Sequence, residues 1–210
     1  QPYNVGDPTA PVAPTGLIST AQPIAGEPPT SLPASKATLP AILMSSFTLF
    51  ATYAGLIAIL LPSQVLLHDE ANKVANLAIV TTVSFVFTLF AQPIVGALSD
   101  RTRSKLGRRA PWMLIGAFVG GILLLGMGSL TSLFWITVCW VIIQVALNAI
   151  QGPLSAITPD RFPRDKRGTA SAISGIGMQL GGTVGVISAG ALAASLGLAY
   201  AVFGIVVMVV

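Results

Sequence analysis

The sequence predicts an all-α protein, a polytopic bundle of membrane helices, and two observations support this fold class. Hydrophobic residues make up 53% of the 210 residues and charged residues only 9%, whereas about a quarter of a typical soluble domain is charged. Asp, Glu, Lys and Arg are also absent from four long runs, residues 37–68, 74–99, 110–159 and 168–210. A helix needs about 20 apolar residues to cross a bilayer, so each run is long enough to cross at least once.

The last two runs are too long for one crossing. Residues 110–159 would form a helix about 75 Å long at ~1.5 Å per residue, against a hydrocarbon core of about 30 Å. Both runs must therefore fold back, and six spans are predicted: 39–62, 74–98, 110–130, 133–157, 169–193 and 196–210. The sixth is short and no polar anchor follows it, so we expect the chain to be truncated inside this helix.

Residues 1–37 differ in composition from the rest of the chain. Eight prolines occur there among Ala, Thr, Ser and Gly. Such a segment has too little apolar content to pack and favours an extended, solvated backbone. We therefore predict a disordered, Pro-rich cytoplasmic tail, followed by the six spans within residues 38–210.

Basic residues mark one side of the predicted membrane. Nine of the eleven Lys and Arg residues lie in two loops, residues 101–109 and 161–167. The positive-inside rule assigns such loops to the cytoplasm, which also places the amino terminus there. The pI near 9.6 is thus a topology signal in a multi-pass cell-membrane protein, and we expect no binding to nucleic acid.

Residues suited to catalysis or metal binding are scarce. Cys139 is the only cysteine and His68 the only histidine, which is too few for the common metal-ligand sets. The chain has no HExxH pattern and no phosphate-binding glycine loop with a following Lys-Ser or Lys-Thr. We expect a protein that is not an enzyme and needs neither cofactor nor metal.

The loop between the second and third spans reads Gly96-Ala-Leu-Ser-Asp-Arg-Thr-Arg-Ser-Lys-Leu-Gly-Arg-Arg109. It resembles the signature loop of the major facilitator superfamily, Gly-x-x-x-Asp-Arg-x-Gly-Arg-Arg or Lys. The matching positions are Gly96, Asp100, Arg101, Gly107, Arg108 and Arg109. The longer form found here, with four residues inserted before the second glycine, looks like the sucrose and glycoside-cation symporter branches.

This resemblance implies the amino-terminal six-helix half of a transporter in which two halves rock around a central site. It also implies that the signature loop switches conformation, with Asp100 pairing with the opposite half. The turn between the fourth and fifth spans, with Asp160, Arg167 and Gly168, resembles the short cytoplasmic turn of many facilitators. Asp160 and Arg167 could pair with each other or with the signature loop, or simply be solvated.

The fourth span carries a polar stripe. At about 100° per residue its side chains fall within an arc of about 80°, and they are Trp140, Gln144, Asn148, Gln151 and Ser155. Amides are expensive against lipid, so this face must meet protein or water. Amides beside an indole suit a neutral polyhydroxylated ligand, and the alternative is hydrogen bonding between helices.

Other family positions in the spans bear on coupling and packing. The segment from Asn148 to Ala156 resembles a family pattern in which Gln151 and Gly152 are retained, but Asn148 replaces an arginine implicated in proton transfer. Weaker candidates for solute binding are Thr52 and Tyr53 in the first span. In the fifth span, Gly177, Gly181 and Gly185 recur every four residues, a pattern that predicts close helix packing.

The sequence therefore favours a transporter of a small solute, a sugar or glycoside, working by alternating access. The expected partners are the solute, the bilayer, a coupling cation, and either a missing carboxyl-terminal six-helix half or a second copy of the chain. A drug or metabolite exporter of the same superfamily and a non-transporting membrane scaffold remain as alternatives.

The predicted topology can be tested with single cysteines in a background that lacks Cys139. An impermeant thiol reagent should label Glu70→Cys in intact cells, and Ser104→Cys only after the membrane is permeabilised, because the basic loops face the cytoplasm. Labelling of Ser104→Cys but not Glu70→Cys in intact cells would reverse the orientation.

Overall fold

The computed structural model describes residues 37–104 and 109–209. Within these residues the chain is helical and has no strand. The elements are α1 (Thr38–Gly55), a π-helical turn (Leu56–Leu60), α2 (Leu61–His68), α3 (Lys73–Arg101), α4 (Ala110–Met127), α5 (Leu133–Arg161), α6 (Arg164–Leu192) and α7 (Leu196–Val209). The first span is one continuous helix made of α1, the π-helical turn and α2. Except for Ala37, the predicted Pro-rich tail lies outside the described residues.

The predicted all-α membrane bundle is confirmed. Five helices are long and apolar enough to cross a membrane, and α7 is a shorter apolar helix of 14 residues. Helices α3, α5 and α6 have 29 residues each and extend past the apolar segments to Arg101, Arg161 and Arg164. A 29-residue helix is about 44 Å long, so its charged ends reach the headgroup layer of a bilayer about 40–45 Å thick.

The helices pack pairwise rather than in sequence order. Helix α6 lies along α1, both α3 and α4 pack on α5, and α7 packs on α4. The largest fully buried side chains include Trp140 of α5, Tyr200 of α7 and Leu56 of the π-helical turn. The fourth span is therefore at the centre of the bundle.

Glycine brings α6 into backbone contact with α1. A Cβ atom on Gly177, Gly181 or Gly185 would overlap a backbone carbonyl oxygen of α1. In the same order, these oxygens belong to Leu43, Phe47 and Ala51. Ser46 and Ser174 add a hydrogen bond between the two helices, with 3.0 Å between their Oγ atoms. The four-residue glycine repeat therefore lies on the α1–α6 interface, where only a missing side chain permits this separation.

Helix α4 uses glycine in the same way on two neighbours. A Cβ on Gly116 would overlap the Ala146 carbonyl of α5, and one on Gly121 would stand 2.8 Å from the Gly204 carbonyl of α7. Both separations are shorter than real Cβ contacts. The third span is thus held between the fourth and the sixth.

Polar contacts join the helix ends that lie opposite the basic loops. The buried Gln64 side chain donates from Nε2 to the carbonyls of Met127 at 2.7 Å and Leu130 at 3.2 Å, which ties the first span to the end of α4. In the turn before α3, Asp69 accepts hydrogen bonds from the side chain and backbone N–H of Asn72. These bonds hold the pKa of the Asp69 carboxyl below its usual value.

The glycine interface gives a stability prediction. Gly181→Ala places a methyl group on the backbone at Phe47, so it should lower the free energy of unfolding by about 1–3 kcal/mol. Gly182→Ala is the matched control, since a Cβ there meets no described atom within 4 Å and alanine favours the helix. Thermal unfolding of the purified protein in detergent measures both, and equal stability of the two variants would contradict the interface.

Candidate functional site

Three charged side chains meet at the end of the bundle that carries the basic loops. Asp100 lies in the last turn of α3, Arg109 directly before α4, and Asp160 in the last turn of α5. Arg109 Nε and Nη2 each lie 2.8 Å from Asp160 Oδ2. Arg109 Nη2 is also 3.6 Å from Asp100 Oδ1. We call these three residues the Arg109 cluster.

The two contacts of Arg109 differ in length and in exposure to water. The Arg109 side chain is 17% exposed and the Asp160 side chain 31%, so their attraction is partly shielded from water. The Asp100 side chain is 58% exposed, and its contact with Arg109 is the longer one. One guanidinium thereby joins three helix ends, which its planar, multi-donor shape permits.

Arg167 binds backbone rather than a carboxylate. Its Nε donates to the Phe162 carbonyl at 2.9 Å and its Nη2 to the Pro159 carbonyl at 3.0 Å. These carbonyls lie at the end of α5, where the last four have no partner inside the helix. Phe162 is buried against Ile42 and Ala170, so the α5–α6 turn is packed onto the start of α1. Of the two pairings considered for Asp160, the structure places it with the signature loop.

The rest of the signature loop is held by a contact that the sequence did not reveal. Trp112 Nε1 donates to Thr102 Oγ1 at 2.8 Å, and the same hydroxyl donates to the Leu98 carbonyl at 2.8 Å. Arg101 is exposed. A Cβ on Gly96 would meet no described atom within 4 Å, so no close helix approach occurs at this glycine among the described residues. Gly107 and Arg108 lie outside them.

The polar stripe of the fourth span does not form one open surface. Trp140 is 1% exposed and Asn148 is 4% exposed, and both lie inside the bundle. Asn148 Nδ2 donates to the Gln144 carbonyl of its own helix at 2.7 Å. Gln151 is half-buried, and the exposed Ser155 donates to the Gly152 carbonyl. Much of the stripe is therefore satisfied within α5.

Some buried polar atoms lack a hydrogen-bond partner among the described residues. They include Gln144 Oε1 of the stripe, the Tyr53 hydroxyl of the first span and the Tyr200 hydroxyl of α7. Thr52, by contrast, donates to the Thr48 carbonyl at 2.9 Å. Tyr200 was not among the predicted residues, because a tyrosine near a helix start has no distinguishing pattern. Unpaired polar atoms are costly in a low-dielectric interior, so these three atoms are candidates for contact with water or a solute.

A cleft opens between α1, α4, α5 and α7. Its volume is about 70 Å³, room for a few water molecules. Apolar side chains line most of it, together with Ser45 and Thr48. This space is too small for a disaccharide, so a solute of that size needs a wall beyond the described residues.

Comparison with known families identifies the superfamily of the helical region. Residues 40–210 match the family model of the Major Facilitator Superfamily. The chain belongs to this superfamily. The resemblance to this superfamily, first indicated by the signature loop, is thereby confirmed over residues 40–210.

Similar proteins include three transporters by name. Sucrose transport protein SUC3 of Arabidopsis thaliana is 31% identical over 49% of this chain. Sucrose transport protein SUC4 of the same plant is 34% identical over 40% of the chain, and an uncharacterized symporter of Synechocystis is 34% identical over 45%. The chain spans about a fifth of the length of these curated relatives, 21%, 20% and 20% in the same order. No solved structure matches the chain.

The Arg109 cluster gives a second stability prediction. Asp160→Asn should lower the free energy of unfolding by about 1–3 kcal/mol, because a partly buried guanidinium loses its charged partner. Asp100→Asn should have a smaller effect, since its contact is longer and more exposed. Asp165→Asn, at the exposed start of α6, is the control. Thermal unfolding at low and high salt checks the order, and a loss from Asp165→Asn as large as that from Asp160→Asn would refute it.

Proposed function

We propose that this chain forms a six-helix half of a transporter that carries a small neutral solute with several hydroxyl groups, a sugar or glycoside, across the cell membrane. Membership of the superfamily supports transport as the activity. The named sucrose transporters among its relatives support the solute class. The amino terminus and the basic loops face the cytoplasm in this proposal, in accordance with the distribution of Lys and Arg.

The observation that carries the mechanism is the Arg109 cluster. Alternating access needs a contact that is made in one state and lost in another. Arg109 is anchored on Asp160, while the more exposed Asp100 is held by a single longer contact. Asp100 is therefore free enough to exchange Arg109 for a positive group across the gap, and the anchored pair keeps α4 and α5 moving together.

The solute site in this proposal lies between the first and fourth spans. Gln144 and Tyr53 are the residues that touch the solute, because each has a buried polar atom with no partner among the described residues. Asn148 positions Gln144 through its bond to the Gln144 carbonyl, and Trp140 packs behind them in the core. Thr52 and Gln151 border the same faces. The opposite wall comes from a second six-helix half or a second copy of the chain.

Coupling to an ion does not use an acid in the described spans. Residues 37–68, 74–99, 110–159 and 168–209 contain no Asp or Glu, and the only histidine among them is His68, at the end of the first span. A proton relay normally needs such a group within the membrane. In this proposal the coupling group belongs to the opposite wall, the ion is sodium, or the carrier is a uniporter.

Uptake by the intact protein in proteoliposomes tests the function. Labelled sucrose or an α-glucoside should enter, and Gln144→Ala should weaken the apparent affinity about tenfold, the equivalent of one hydrogen bond of ~1.4 kcal/mol. Ser155→Ala is the control on the same face, because the Ser155 hydroxyl is already bonded within its helix. Flux of amphipathic cations without sugar flux would identify an exporter instead, and no flux of any solute would identify a scaffold.

A further inference from the structure

One turn of the first span departs from α-helical geometry. Leu56–Leu60 is a π-helical turn, and the Leu61 N–H bonds to the Leu56 carbonyl, five residues back. In an α-helix the same N–H would bond to the carbonyl of Ile57. Single π-helical turns inside α-helices are uncommon and occur frequently at functional sites.

Pro62 lies just after this turn and removes a helical donor from the two carbonyls of Ile57 and Ala58. Proline has no N–H, so residue 62 cannot bond to the Ala58 carbonyl four residues back or to the Ile57 carbonyl five residues back. The Ile57 carbonyl therefore receives neither of its two possible donors, because the Leu61 N–H bonds to Leu56 and residue 62 has no N–H. The Ile59 carbonyl nearby receives the Ser63 hydroxyl at 2.7 Å, but no side-chain bond found among the described residues reaches Ile57.

The unpaired carbonyl lies near the middle of the membrane span. Residue 57 is four positions past the centre of the 31-residue helix Thr38–His68, about 6 Å along its axis. Ile57 is 46% exposed and Ala58 is also exposed. Backbone without its hydrogen bonds is not found against lipid tails, and it is tolerated where it faces protein or a water-filled cavity. This side of the first span is therefore expected to line such a cavity.

We propose that the Ile57 carbonyl accepts a hydrogen bond from a hydroxyl group of the transported solute, an assignment that rests on the proposed function. A carbonyl is only an acceptor, so it selects a donor. Hard cations need several oxygen ligands, and the first span has no Asp or Glu between residues 37 and 68. A hydroxyl group needs one acceptor. Tyr53, one turn earlier, has the unpaired hydroxyl already assigned to the solute site.

Pro62→Ala tests the assignment because it adds the missing donor. The new N–H at position 62 can bond to the Ile57 or Ala58 carbonyl and compete with the solute. The assay measures binding of a glycoside and its monodeoxy analogues to the intact protein. Wild-type protein should bind one analogue at least tenfold more weakly than the parent, since a site built for a hydroxyl rejects the compound that lacks it. Pro62→Ala should bind the parent about as weakly as that analogue and should not distinguish the two.

Two further variants keep the result interpretable. Pro62→Gly introduces the same N–H and should behave like Pro62→Ala. Pro93→Ala makes the same chemical change inside α3 and should retain the discrimination shown by wild-type protein. Discrimination that persists in both Pro62 variants, or that is lost in Pro93→Ala as well, would overturn the role of the Ile57 carbonyl while leaving the proposed function intact. Absence of glycoside binding to wild-type protein would overturn the proposed function itself.

Discussion

Backbone contact through glycine is the interaction on which the bundle depends. Lipid tails are as apolar as leucine, so helices in a membrane gain little from burying apolar side chains against each other. They associate through close packing, which needs small residues at the interface. Gly181 of α6 provides it against α1 and Gly116 of α4 provides it against α5, and α7 joins the bundle through Gly121 of α4. The charged and polar groups are placed by these contacts.

The charged end of the bundle depends on this packing and in turn limits its motion. Helices α3 and α4 both rest on α5, which brings their ends to Asp160. Arg109 then bonds to two carboxylates at a site that is only partly open to water. Arg167 donates hydrogen bonds to two backbone carbonyls at the end of α5. Four helix ends are therefore connected by two arginines, one acting on carboxylates and the other on backbone.

Some polar groups in the interior have a hydrogen-bond partner within their own helix, and others have no partner among the described residues. Thr52 and Asn148 donate to carbonyls one turn earlier in their own helices, which is the usual way for short polar side chains to be tolerated in a span. The Tyr53 hydroxyl and Gln144 Oε1 have no such partner. The Ile57 carbonyl also lacks a helical donor, because the Leu61 N–H bonds to Leu56, and Pro62 has no N–H. This difference, rather than polarity alone, distinguishes candidate contacts of a solute from residues that fasten the bundle.

The sequence by itself determined which segments are helical and which loops are basic, because hydropathy and charge are local properties of the chain. It also showed the four-residue glycine repeat and the signature loop that led to the superfamily. It did not place helix ends well: α3, α5 and α6 continue past the last apolar residue, since a helix passes unchanged into the headgroup layer. The first charged residue marks the edge of the hydrocarbon core and not the end of the hydrogen bonding.

Only the tertiary structure decided what each face meets. Arg109 and Asp160 are 51 residues apart, and no local pattern pairs them in preference to Asp160 with Arg167. A polar stripe also reads the same whether it faces a neighbouring helix or a cavity, so the burial of Trp140 and Asn148 could not be inferred. Pro62 was visible in the sequence, yet its effect on the Ile57 carbonyl depends on which N–H takes which carbonyl. Helical periodicity determines which residues share a face, and the packing of the other helices determines what that face contacts.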